Sequence, residues 1–358
     1  MPAPSVRRIL YVGQLRYGGT CRDRMEVLSS FGFDIIAFNV DPLVAAANRI
    51  VQSLAGRLQR GPLIRAFNAR LLELARASDY DAVWIDKGVW VLPSTLSELR
   101  ERASARIAIH FTPDAQFFSQ RSRFLFQGIP LYDICATTKP FEVSSYAASG
   151  ARQTILVLQG YSRFFDPALA SRPQAAKSAG EVIFVGHTQP HYIRSLHALA
   201  KSGIDVAIHG GGWQRHARRH PWLGGYIRSD GIWGSEYAAA LAASTIGIGL
   251  LGKHIPETTT TRSFEIPASG TFLLAERTDD HMALFEEDSE AVFWSSQEEL
   301  VDKARFYLDH KDLRDRIAMA GRRRCVEAGY DSATQIARIL AALEIRLPSA
   351  PAESPPVA

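Results

Sequence analysis

The stretch Thr258–Ala275, TTTTRSFEIPASGTFLLA, gathers the residue types from which an anion site is made. A run of hydroxyls and one arginine leads into a short amphipathic turn with a carboxylate. Gly270 ends that turn, and an apolar strand over Thr271–Ala275 follows at once. A helix starting near Phe264 would aim its unpaired backbone N–H groups at Thr258–Arg262, with Thr261 and Ser263 beside that point. Phosphate is best stabilised there. Arg262 would add a charge-assisted contact to the same anion. Glu265, on the first turn, would accept hydrogen bonds from a ribose diol. The same residues also read as helix punctuation, with Ser263 as a cap, Glu265 as a favourable charge at the positive end and Gly270 as the glycine past the C-terminus.

Other chemistry-bearing residues follow predicted strands. His110 and Asp114, in IHFTPD, come at the end of a strand over Arg106–Phe111, where either would suit a general base for an acceptor hydroxyl. The alternative, and the commoner use of such a histidine, is a hydrogen-bonded structural residue, with Asp114 as a helix cap. Gly186 and His187 follow a strand over Glu181–Gly186. Gly210–Trp213 follow one over Asp205–His209; there Gly211 would let a ligand approach and Trp213 would stack on a base or sugar, or else lie in the core.

These residues need a frame of alternating strands and helices. Arg8–Val12, Asp34–Val40, Ala82–Ile85, Arg106–Phe111, Ile134–Ala136 and Thr154–Val157 read as buried strands, with a helix over Cys21–Phe31 and a helical stretch with two breaks over Leu43–Ser78. Such alternation implies right-handed βαβ units and a parallel sheet, with ligands at the strands' carboxyl ends. That rule marks Gly13–Gly19, Asp86–Lys87 and His110–Asp114 as one rim. The first loop, GQLRYGG, lacks the dinucleotide fingerprint GxGxxG. Ser162–Gly180 loses periodicity and is expected to be a linker. A second set of strands follows over Glu181–Gly186, Asp205–His209, Thr245–Leu251, Thr271–Ala275 and Ala291–Trp294, closed by helices over Ser296–Asp309, Lys311–Ala328 and Ser332–Arg346.

RSFEIPASGTFLLAE, Arg262–Glu276, resembles the signature region of CgeB-like (spore-maturation-type) glycosyltransferases, which have the GT-B fold. The resemblance covers most of Glu181–Arg324. It implies an α/β chain of two Rossmann-like domains facing a cleft, 1–165 on the acceptor side and 181–346 binding a nucleotide-sugar; the proline- and alanine-rich 347–358 is expected to be a disordered tail. The final helix is then expected to cross back onto the first domain. Two glutamates separated by seven intervening residues are common in retaining GT-B enzymes, and Glu257 and Glu265 have that spacing. The second binds the donor ribose in the family pattern, and the first lies near the donor sugar. Glu257 departs from the usual glycine-rich context, and Pro267 from the usual small or aliphatic residue; Pro267 fits only if the helix starts late. The implied reaction moves a sugar from a nucleotide-diphosphate donor to an unidentified acceptor, with the donor as substrate and no further cofactor. No DxD-type metal pair stands at a suitable position.

Composition narrows the partners. The chain has 358 residues and a net charge of +4, enough for two domains and too little charge to argue for nucleic acid. The clusters Arg215–His220 and Arg322–Arg324 read as solvated faces. Peripheral membrane contact stays open. Cys21, Cys135 and Cys325 have neither metal nor disulfide spacing, which suits a reducing compartment. No apolar run approaches the ~20 residues of a membrane span, and a cytoplasmic protein is expected. Three rivals remain: a GT-B-like module that binds a sugar nucleotide or glycan without turnover, a dinucleotide oxidoreductase, and a two-lobed solute-binding protein. The oxidoreductase lacks its fingerprint and the solute-binding protein its signal segment.

Overall fold

A computed structural model describes residues 6–165 and 181–348. The expected linker lies outside the described residues over 166–180, as does the expected tail over 349–358. The described chain forms two compact units. The first holds the residues up to Leu158 and those from Ala333 on; the second holds Gln159–Ser332.

The first unit contains β1 (Arg8–Gly13), β2 (Asp34–Asn39), β3 (Ala82–Asp86), β4 (Ile107–Thr112), β5 (Ile134–Thr137) and β6 (Thr154–Leu156). All pair in parallel, in the order β2-β1-β3-β4-β5-β6. Unbroken apolar runs such as Ala82–Ile85, in a strand buried along its whole length, are what a sheet covered on both faces requires. One face packs Leu10, Val12, Val83 and Ile85 against the helices Pro62–Arg76 and Pro93–Arg102. The other packs Ile9, Tyr11, Trp84 and Ile109 with Ile336, Ile339 and Leu340 of the final helix Ser332–Ala342. The last helix thus completes the first unit's core.

The stretch Leu43–Ser78 is three helices, Asp41–Ala46, Arg49–Leu58 and Pro62–Arg76. Asn48 makes the first break by accepting the Val51 N–H at 2.9 Å, a capping bond of the usual kind. Gly61, at φ +109°, makes the second.

The second unit repeats the plan with β7 (Val182–Val185), β8 (Val206–His209), β9 (Ile227–Ser229), β10 (Ile246–Gly249), β11 (Phe272–Glu276) and β12 (Val292–Trp294). Their order is β12-β11-β10-β7-β8-β9, again all parallel. The sequence gives little sign of β9 or of the short helix Trp213–Ala217, because HARRHPWLGG has no apolar period.

Candidate functional site

In each sheet the winding reverses at one point: between β1 and β3 in the first unit, and between β7 and β10 in the second. The carboxyl ends of strands that diverge there leave a crevice for ligands. In the second unit the crevice is lined by Gly186–Gln189 after β7, Gly210–Gly212 after β8 and Leu250–Thr261 after β10.

Arg262 sits at that reversal. Its Nη2 donates to the Leu250 carbonyl at 2.7 Å and its Nη1 to the Val185 carbonyl at 3.3 Å, so the guanidinium spans the ends of β10 and β7. Its carbon lies 5.2 Å from the Phe184 ring centroid, within cation–π range. Gly186 makes room for it, since a Cβ there would come within 2.9 Å of Nη1. Neutral carbonyls hold the side chain, and among the described residues no carboxylate pairs with it. Its Nε is buried without a hydrogen-bond partner, as are the hydroxyls of Thr188 and Thr260 on the loops after β7 and β10.

The helix beside it differs from expectation. It runs Arg262–Ala268, seven residues, with Pro267 inside it. Its first turn is tight. Ser263 N donates to Thr260 O at 3.1 Å, and Phe264 N and Glu265 N both donate to Thr261 O, at 2.9 and 2.8 Å. The backbone donors expected to meet a phosphate are therefore committed to this turn, and the positive charge of Arg262 remains. Thr261 caps by backbone only. Ser263, expected to touch the donor, is buried. Its Oγ accepts from Thr260 N at 3.1 Å and lies 2.8 Å from His281 Nε2. His281 Nδ1 is 2.7 Å from the Glu276 carbonyl, which only accepts, so Nδ1 carries the proton and the Ser263 hydroxyl donates to Nε2. Ser263 thus fastens the loop. Gly270, at φ +81°, closes the helix: its N–H meets Pro267 O at 2.9 Å and the Thr271 N–H meets Ile266 O at 3.2 Å, a Schellman pair.

Glu265 is 7% exposed, and its carboxylate accepts the Tyr237 hydroxyl at 3.0 Å. Phe165 packs edge-on against the Tyr237 ring, with centroids 5.2 Å apart. Burial, then the Glu265 charge, push the Tyr237 phenol well above its ordinary value, so it stays a donor. The other glutamate, Glu257, is half-buried and accepts the Gly252 N–H at 2.8 Å. The loop is tied down further along. Leu251 N donates to Glu276 at 2.8 Å, Lys253 pairs with Glu276, and Thr278 donates to Thr258 O at 2.9 Å.

His187 is exposed over the next loop, where a Cβ on Gly211 would come within 2.8 Å of its Nδ1. Trp213 is corrected. It is fully buried, its Nε1 donating to Gly186 O at 2.9 Å and its ring edge-on to Phe184. It supports the loop from below and cannot stack on a ligand.

In the first unit the reversal is occupied by protein. Arg24 makes a bidentate pair with Asp86 at 2.8 and 2.9 Å, and Tyr11 donates to the same carboxylate at 2.7 Å, all buried. His110 is also corrected. It has no exposure, lies between the rings of Tyr132 and Tyr146, and shares a 3.0 Å hydrogen bond with the Tyr146 hydroxyl. Burial drives it down to about 4. A group so enclosed does not reach a substrate. Asp114 remains at the rim, paired with Lys87 at 2.7 Å.

Tyr237, Glu276 and His281 are not singled out by sequence reasoning. Glu276 was the most accessible of them: a carboxylate ending the apolar strand FLLAE is marked by the same strand-end rule that marks Asp86. Tyr237 lies in an alanine-rich helix, and nothing in its spacing announces a partner 28 residues away.

A family model described as glycosyl transferase-like matches residues 191–341. No curated protein matches by sequence. Among solved structures, sucrose-phosphate synthase from Thermosynechococcus elongatus is 16% identical, with a TM-score of 0.66, covering 94% of this chain and 99% of that one. Anabaena HepE in complex with UDP-glucose is 15% identical, with a TM-score of 0.62 and coverage of 94% and 99%. A glycosyltransferase from Rickettsia africae is 14% identical, with a TM-score of 0.61 and coverage of 95% and 98%. The expected fold class is therefore established as GT-B, and the family match supports the expected glycosyl transfer.

Proposed function

We propose that the chain transfers a sugar from a nucleotide-diphosphate donor to a separate acceptor, and that the donor binds at the β7/β10 reversal of the second unit. The observation that carries this is Arg262, a fixed guanidinium at the ligand end of the sheet that no carboxylate pairs with among the described residues. Glycosyl transfer passes through an oxocarbenium-like state while a nucleoside diphosphate departs. A preorganised cation aimed at that leaving group lowers the barrier. Glu265, held by Tyr237, suits the ribose hydroxyls, and Glu257 is oriented by Gly252 on the loop that would face the donor sugar. Anabaena HepE and its UDP-glucose give the same class of donor. The resemblance of Arg262–Glu276 to CgeB-like enzymes supports that finer grouping. The three buried free cysteines accord with a reducing, cytoplasmic setting.

A second reading is binding without turnover. It is favoured by the state of the candidate bases: His110 is enclosed, and Asp114 is paired with Lys87. Incubating the protein with UDP-, GDP-, TDP- and ADP-sugars and measuring released nucleotide separates the two. Release above a protein-free blank is expected for at least one donor. Saturable binding with no release for any donor, with or without sugar acceptors, would establish the module.

A further inference from the structure

The helix Arg49–Leu58 presents more apolar surface than the core uses. It buries Ala55 and half-buries Val51 against its neighbours. Ile50, Leu54 and Leu58 are 72%, 39% and 60% exposed. Their four-residue spacing aligns them in one outward stripe. Single exposed aliphatic residues are ordinary, but an aligned row is not.

The charge around the stripe has one sign. Arg49, Arg57 and Arg60, with Arg65 and Arg70 on the next helix, are all exposed. No Asp or Glu occurs between Asp41 and Glu73. Gln59 ties in a second basic segment: its amide donates to Arg121 O at 2.6 Å and accepts from Arg123 N at 2.8 Å, while the Arg123 guanidinium donates to Gln59 O at 3.1 Å. Arg121 and Arg123 are exposed, Phe118 is 50% exposed, and no acid occurs between Asp114 and Asp133. None of these arginines is paired with a carboxylate among the described residues.

We propose that this face docks on an anionic lipid bilayer. Ile50, Leu54 and Leu58 enter the headgroup–acyl boundary, and Arg57, Arg60, Arg121 and Arg123 meet lipid phosphates. An apolar row with an unneutralised cationic rim is the pattern of a helix lying in the membrane plane. A nucleic-acid backbone would use the arginines and leave the aliphatic row in water. A protein groove would use the row without needing this much uncompensated charge. No described helix is long and apolar enough to cross a membrane, which accords with lying on one.

The test is co-sedimentation of the full chain with vesicles of phosphatidylglycerol and phosphatidylcholine in equal parts, beside phosphatidylcholine alone. Binding is expected to the anionic vesicles only and to weaken as salt rises. Ile50→Ser with Leu54→Ser and Leu58→Ser, and separately Arg57→Glu with Arg60→Glu, should each lower partitioning by roughly tenfold or more. These positions are exposed, so the melting temperature should hold. Absence of binding to anionic vesicles, or binding that both variants retain, would overturn the proposal. So would wild-type dimerisation without lipid that the serine variant abolishes, which would make the stripe a face for a second copy.

Discussion

The two sheets reverse their winding at equivalent points, and each carries an arginine there, yet the arginines are used in opposite ways. Arg24 faces Asp86 and Tyr11 in a closed, buried cluster. Its charge is cancelled by a carboxylate of the protein. Arg262 is held by the carbonyls of Val185 and Leu250. Its geometry is fixed with equal care, but no carboxylate pairs with it among the described residues. A topological crevice is thus only an opportunity. Whether it binds an anion depends on whether the fold has already supplied the counterion. Under the proposed function donor binding falls to the second unit, while the first unit's reversal is filled by the Arg24, Asp86 and Tyr11 cluster.

The largest effect should come from breaking the first unit's pair. Asp86→Ala leaves the buried Arg24 charge without a partner, which costs about 3–5 kcal/mol of stability. Replacing both, with Asp86→Leu and Arg24→Met, should recover most of that loss. Urea unfolding of the three proteins checks it; a single-variant cost below about 1 kcal/mol would mean that the pair is not buried as described.

His110 sharpens the same contrast, since the first unit buries its polar groups neutral or paired. Its folded value is about 4 against an ordinary 6.5. The unfolded chain therefore binds the proton first. The stabilising effect is complete above 6.5, declines as the pH falls from there to about 4, and totals about 3 kcal/mol. His110→Gln should flatten that part of the stability–pH curve relative to wild type. Equal slopes would mean that the imidazole titrates as it does in water.

A smaller effect belongs to the second unit. With Glu265 on the ribose, wild type should prefer a ribonucleoside diphosphate to its 2′,3′-dideoxy analogue by about tenfold. Glu265→Gln should narrow that preference, and Tyr237→Phe should narrow it less, by freeing the carboxylate to turn. Calorimetric titration with both ligands tests this. An unchanged preference in both variants would remove Glu265 from the ribose.

The frame of the molecule was open to inspection in the sequence because it rests on apolar runs and glycine-ended strands, such as Ala82–Ile85 and the strand before Gly186. The two breaks in Leu43–Ser78 were readable for the same local reason, Asn48 and Gly61 being turn formers. The site was less so. Trp213 and His110 follow strands as ligand residues do, but the direction of a side chain depends on partners distant in sequence: Gly186 for Trp213, Tyr146 for His110. The tight first turn at Thr260–Glu265, which consumes the expected phosphate donors, is likewise invisible in a run of threonines. Arg262 and Glu265 were marked in the sequence because family pattern and local chemistry coincide there, and the fold sets Arg262 at the β7/β10 reversal.

The most direct test is titration of wild type and Arg262→Ala with the preferred nucleoside diphosphate and with the parent nucleoside. A fixed, unneutralised guanidinium on the diphosphate predicts that the variant loses about a hundredfold in diphosphate affinity while its nucleoside affinity stays within a few fold. If the variant binds both ligands as wild type does, the charge left over at the β7/β10 reversal does not serve the donor, and the contrast between the two crevices has no functional meaning.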